Sequence, residues 1–267
     1  LLAGTAIAQS TIGYGSAIVV PVVAHTVSFD TEVFVQNPLF TSPTLTVNVT
    51  LVEATTAAVP GPKTCGQLVI PPGESASFVV ATQCSLVGPN HFGYLVVQDA
   101  AAEAVNGMFV YSRTQNPQAI GFSIEGFPAG SLTGQSQRVN GLKRSAGPIP
   151  YQSNCFVASF EKPVDYIIRL RNSGGGVIGT VPQPPATSLH LEPHQMIRYL
   201  DIFAAAGLAG DFSNVSAQIN AVNPSSVGNR DHPLFASFCT VQDNVSFGAD
   251  FRIGKSFNAW DATHALN

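Results

Sequence analysis

Residues 108–126 read Met108-Phe-Val-Tyr-Ser-Arg-Thr-Gln-Asn-Pro-Gln-Ala-Ile-Gly-Phe-Ser-Ile-Glu-Gly126, and residues 234–253 read Leu234-Phe-Ala-Ser-Phe-Cys-Thr-Val-Gln-Asp-Asn-Val-Ser-Phe-Gly-Ala-Asp-Phe-Arg-Ile253. Phe109 answers Phe235 and Thr114 answers Thr240. With Val241 as an insertion, Gln115-Asn116 answers Gln242-Asp243 and Ile120-Gly121 answers Phe247-Gly248. Each copy is a β-prone run, a polar turn and a second alternating run, which is the pattern of a hairpin. Two copies about 125 residues apart predict two similar all-β modules in tandem, each closed by this hairpin.

Working back from the first copy, Thr44–Glu53 alternates strictly, with Leu45, Val47, Val49 and Leu51 on one face. Thr31–Asn37 is a shorter strand ended by Asn37-Pro38, and Phe92–Asp99 is another. Gln67–Val80 reads as a hairpin turned by Pro71-Pro72-Gly73. Ala17–Ala24 is an uncharged β-branched run holding Pro21, whose missing N–H predicts a sheet edge or a break in pairing. These strands set a first domain at 17–128, after an N-terminal segment at 1–16. Residues 129–150, with Gly, Ser, two prolines and the trio Arg138, Lys143 and Arg144, read as a linker.

A second domain follows at 151–257, with a tail at 258–267 that carries Trp260. Asn154–Phe160 is its expected first strand, and Tyr166–Asn172 answers Thr31–Asn37. Glu192–Tyr199 answers Pro71–Phe78, with His194 in the place of Gly73, and Ser216–Val222 answers Phe92–Asp99. The shorter interval between Asn172 and Pro193 predicts that the second domain lacks a strand.

Composition narrows the function classes. Only 10% of the residues are charged, against an average near 25%, and the net charge is −4. Bulk electrostatic attraction to nucleic acid or anionic membranes is therefore not expected, whereas self-association is left open. Ala17–Ala24 is too short to be a transmembrane segment. Ala6-Ile7-Ala8 after Leu1–Gly4 matches the end of a signal peptide, and the same residues also fit an apolar strand or tail. Cys65 and Cys84 fall in the first domain and Cys155 and Cys239 in the second, none with the C-x-x-C spacing of a metal or redox site. Two disulfides within the domains, in an exported protein, is the expectation; four buried thiols is the alternative.

The Asn37-Pro38 strand end, the Leu68-Val-Ile-Pro-Pro-Gly-Glu-Ser75 turn and the Gly93-Tyr-Leu-Val-Val-Gln-Asp99 strand together resemble immunoglobulin-like repeats of bacterial secreted and cell-surface proteins, including the cell-adhesion-related type. Ser112-Arg113-Thr114 with Gly121-Phe122 further resembles an uncharacterised group of secreted bacterial β-sandwich repeats. The resemblance covers nearly all of 17–128 and is weaker over 151–257, where Cys239 stands at the arginine's place. It implies two immunoglobulin-like β-sandwiches and a non-catalytic extracellular module, secreted or at a bacterial cell surface.

Catalytic patterns are sparse. The sequence has no Gly-x-Ser-x-Gly elbow, and Gly174-Gly175-Gly176 sits between strands and not before a helix. His190-x-Glu192-x-His194 places three potential metal ligands on one side of a strand, but its last member falls at a turn. Asp30/Glu32 and Asp99/Glu103 read as solvated edge charges, and Asn48, Asn214 and Asn244 as incidental sequons. No enzyme activity, metal or cofactor is expected. The leading reading is a structural or adhesive protein whose partners are other copies or other cell-surface proteins. Glycan binding is an alternative, through Tyr111, Phe122, Tyr151 or Trp260. A further alternative is a filament assembled by donation of the strand holding Ala17, Ile18, Val19, Val20, Val22 and Val23, because the sheet edges carry few protecting charges. Pairing of that strand within its own domain is the competing expectation.

Overall fold

The computed structural model describes residues 13–38, 43–54, 61–101, 106–116, 119–129, 132, 136–147, 150–222, 234–245 and 249–256. They form an all-β protein with two short helical turns. The first half comprises β1 (Tyr14–Gly15), β2 (Ala17–His25), β3 (Asp30–Gln36), β4 (Leu45–Glu53), β5 (Lys63–Ile70), β6 (Ser75–Val79), α1 (Val80–Gln83), β7 (His91–Asp99), β8 (Met108–Asn116), β9 (Ala119–Glu125) and β10 (Phe127–Pro128). The second comprises β11 (Ser136–Arg144), β12 (Tyr151–Ser159), β13 (Val164–Arg171), β14 (Val177–Val181), β15 (Leu189–Leu191), β16 (Met196–Tyr199), α2 (Ile202–Ala205), β17 (Phe212–Ala221), β18 (Phe235–Asp243), β19 (Ala249–Ile253) and β20 (Lys255–Ser256).

The two halves share one antiparallel pairing scheme. In the first, β2 pairs β7 and β10, β4 pairs β5 and β7, and β3 pairs β6 and β8, which also pairs β9. In the second, β11 pairs β17 and β20, β13 pairs β14, β15 and β17, and β12 pairs β16 and β18, which also pairs β19. Local contacts repeat too. Thr31 Oγ1 accepts from the Ala24 N–H at 2.9 Å, as Ser153 Oγ does from the Lys143 N–H at 3.0 Å.

This correspondence corrects three expectations. Ser136–Arg144, read as part of a linker, is a nine-residue strand equivalent to β2. Counting it, the second half lacks no strand, and Tyr151–Ser159 and Val164–Arg171 answer β3 and β4 in place of β2 and β3. The Pro71-Pro72-Gly73 turn does not close a hairpin: β5 pairs β4, whereas β6 pairs β3. It carries the chain from the β4 layer to the β3 layer of the first half's folded sheet, as Pro193-His194 carries it from β15 in one sheet of the second half to β16 in the other. Gly73 and His194 both hold positive φ at this corner, 74° and 55°.

The strand order also departs from the immunoglobulin scheme. Lettering β2–β9 as a–h, strands a, c, d and f pair in one layer and b, e, g and h in the other, and the His25–Asp30 pair of β2 and β3 joins the two layers into one folded sheet. An immunoglobulin constant domain instead places A, B, E and D together. The described residues thus form antiparallel layer pairs of sandwich type, without that order.

Both expected hairpins are present, β8–β9 and β18–β19. Their match runs without the insertion at Val241. Gly126 N–H donates to the Val110 carbonyl at 2.8 Å and Gly254 N–H to that of Ser237 at 2.7 Å, so Val110 answers Ser237 and Cys239 answers Ser112, not Arg113. Two disulfides are formed, Cys65–Cys84 and Cys155–Cys239. The second joins directly opposed residues of β12 and β18.

Packing gives four sheet layers and three apolar seams. Val33, Val35, Val47, Val49, Leu95 and Val97 fill the first half's core. Tyr166, Ile168, Leu170, Phe203, Ile219 and Phe235 fill that of the second. The third seam lies between the halves: Val19, Val22, Val52 and Tyr94 meet Phe156, Ala158, Met196 and Phe238. Thus the outer face of β2–β7–β4 covers the outer face of β16–β12–β18. Alternation explains this: successive strand residues point to opposite faces, so Cys155 and Val157 serve the core while Phe156 and Ala158 serve the seam.

Candidate functional site

The face of β6–β3–β8–β9 is the structural equivalent of the covered face of the second half, and it is open. Its cross-strand rows read Val79, Glu32, Arg113, Ser123, then Ser77, Phe34, Tyr111, Glu125, then Ser75, Gln36, Phe109, Tyr14. Phe34 and Tyr111 stack at 4.6 Å between ring centroids, with planes 5° apart. Their equivalents Phe156 and Phe238 stack at 5.0 Å and 17°. The environments differ sharply. Phe156 is 3% exposed and Phe238 fully buried, whereas Tyr111 is 47% exposed. Phe109 is also exposed and tilts against Tyr14 at 5.2 Å. The pair is rimmed by polar side chains on a sheet face that no other described element covers.

A cleft of about 180 Å³ opens between the halves. Phe29, Phe92, Phe122 and Phe156 line it, with Arg198 and Gln242 among its polar groups. Phe92 stacks on Phe156 at 5.3 Å, and the Arg198 guanidinium lies over the Phe92 ring at 5.1 Å. Among the described residues its lining contains no carboxylate, histidine or cysteine. Its described hydroxyls, those of Thr26, Thr114 and Thr240, stand among apolar and amide side chains and Arg198.

Each described histidine lies beside at least one acid, His25 beside Asp30 at 3.5 Å. His91 is hydrogen-bonded to Glu53, which holds its imidazole above the usual pKa, with burial opposing. His190 Nδ1 meets Asp165 at 2.7 Å and its Nε2 lies 3.4 Å from Glu192. The Asp165 hydrogen bond likewise raises the His190 pKa. His194 instead points to Glu161, 3.8 Å away, so the His190, Glu192 and His194 side chains are not brought together. Among the described residues no three His, Cys, Asp or Glu side chains are placed to hold a metal.

Of the described rings named for glycan binding, Tyr111 stands exposed on the open sheet face. Phe122 stacks on Phe251 at 6.5 Å beside the cleft, Tyr151 lies under Lys143 Nζ at 3.7 Å, and Trp260 falls outside the described residues. Sequence reading found Tyr111 but not Phe34 and Phe109; the Phe–x–Tyr spacing of Phe109 and Tyr111 is the signal that marks one face of a strand. The strand considered for donation, with Ala17, Ile18, Val19, Val20, Val22 and Val23, pairs with β7 in its own half. Its register shifts between Val20 and Val23, around Pro21. Residues 1–12, including the signal-like Ala6-Ile7-Ala8, lie outside the described residues. No helix among the described residues is long and apolar enough to cross a membrane.

Comparison with known proteins gives no further handle: no family model, curated protein or solved structure matches this chain.

Proposed function

We propose that this chain is a non-catalytic extracellular structural or adhesive protein of two tandem β-sandwich domains, acting through a sheet face. The observation that carries this reading is the open Phe34–Tyr111 pair, equivalent to a pair that the second half uses for docking. Two disulfides support an oxidising compartment, whether secreted or at a cell surface. Glycans are the second reading, favoured by the exposed Tyr111 and Phe109 rings.

The test is adhesion of cells displaying the protein, comparing the parent with Tyr111→Ser. Loss of adhesion at an unchanged melting temperature supports the reading, and adhesion that is indifferent to Tyr111→Ser overturns the role of this face. A glycan array probed with both proteins separates the two readings. Tyr111-dependent sugar binding selects the second.

A further inference from the structure

The outermost sheet of the second half differs from its equivalent in the first in two neighbouring rows. In the first half one of these rows runs Phe127, Val19, Val96, Thr50, Thr64 across β10, β2, β7, β4 and β5. In the second half it runs Lys255, Arg138, Gln218, Arg169, Thr180 across β20, β11, β17, β13 and β14. Phe127, Val19 and Val96 of the first half's row pack against the other half; the second half's row is basic, with Arg138, Gln218, Arg169 and Thr180 partly exposed and Lys255 exposed. Arg171 stands in the neighbouring row, opposite Ser216, where the first half has Val52 opposite Tyr94. One sheet face therefore gathers four of the chain's twelve Lys and Arg residues. Arg169 has no ion-pair partner among the described residues.

The open face at the opposite end of the four-layer stack carries two carboxylates, Glu32 and Glu125, against one cation, Arg113, which stands opposite Glu32. Residues 1–128 contain Lys63 and Arg113 against seven carboxylates, whereas residues 129–267 contain ten basic and nine acidic residues. Glu32 and Glu125 flank the open Phe34–Tyr111 pair, one row from it and one strand from it respectively.

We infer that the occupant of the open face is a second copy of this chain, docked by the Arg138–Arg169–Arg171–Lys255 face of its second half. This rests on the proposed recognition role of the same face and names its partner. The contact between the halves is the template. There, a β2–β7–β4 face covers a stacked ring pair, and Arg198 already lies over the Phe92 ring. Between copies, the equivalent β11–β17–β13 face covers Phe34 and Tyr111. Guanidinium groups stand where Val19 and Val52 stand within the chain, stacking on the rings and pairing with Glu32 and Glu125. The two surfaces are different and lie at opposite ends of the stack, so the contact is heterologous and adds copies head to tail. Because it joins opposite charges at a surface, it weakens as salt rises.

Sedimentation velocity on the full chain tests this, over a concentration series at low and at near-physiological salt. The expected result is a mass that grows with concentration and shrinks with salt. Arg169→Glu with Lys255→Glu, altering only outward side chains, weakens association roughly tenfold or more, as does Tyr111→Ser. Mixed in equal amounts, these two variants form a dimer and stop there, since each retains the face the other lacks. If the charge variant unfolds, Arg169→Gln gives the same comparison with a smaller loss. A chain that stays monomeric throughout overturns the inference, and so does association that survives both variants. Tyr111-dependent adhesion by a strictly monomeric protein overturns only the identity of the partner and leaves the recognition role standing.

Discussion

The Tyr94 hydroxyl donates to the Ser159 carbonyl at 3.0 Å, joining β7 of the first half to the end of β12 in the second. Both residues are buried. Tyr94→Phe keeps the ring against Phe160 but removes the bond, and the expected loss is about 1 kcal/mol. Urea unfolding of the two proteins measures it.

Equivalent rings are expected to respond unequally. Phe156→Ala empties a filled seam next to Phe92 and Phe238, which destabilises by about 3–5 kcal/mol. In the dilute, monomeric protein Phe34→Ala, at the matching position of the open face, removes a stacking partner of Tyr111 and costs about 1 kcal/mol. Similar losses at both positions would show that the open face is covered in solution or that the seam is not formed. Repeating the denaturation at low protein concentration tells these apart.

The disulfides close loops of different length, with sequence separations of 19 and 84. On chain entropy, removing Cys65–Cys84 by paired alanines costs about 3 kcal/mol and removing Cys155–Cys239 about 4–5 kcal/mol. The order of the two variants in guanidinium midpoint checks this.

His91 carries a pH signature. Its folded-state pKa is raised above 6.5, first by the Glu53 hydrogen bond. The protonated form is thus favoured in the folded protein. The associated stability is complete below pH 6.5 and fades as pH rises through the folded-state pKa. His91→Gln removes this part of the slope in a melting series from pH 5.5 to about 8.5. His190, raised in the same direction by Asp165, supplies a part that only His190→Gln removes.

How much of this was readable depended on where the information lay. Thr44–Glu53 is a strand in any reading because Leu45, Val47, Val49 and Leu51 alternate, and all four prove buried. The two hairpins are local and were equally legible. Ser136–Arg144 was hidden because its inward residues, Val139 and Leu142, are three apart across a register shift, with Gly141 at φ 74°. That shift erases the period-two signal, and without it the strand looks like a polar connector. Missing it displaced the match of the following strands by one place. Pro71-Pro72-Gly73 reads as a tight turn whether it joins paired strands or crosses between sheets, since only the partners differ. The candidate site is the least legible part. Phe34 meets Tyr111, and Arg138 lines up with Arg169, only through pairing between distant strands.

The contrast between Phe127–Val19–Val96 and Lys255–Arg138–Gln218 makes the two halves non-interchangeable. A gene rearranged to encode the second half before the first, with its docking kept in the new order, would press guanidinium groups into a dry contact and leave a valine-rich sheet in water. Two copies of a fold gain a front and a back only where matching rows of their side chains differ.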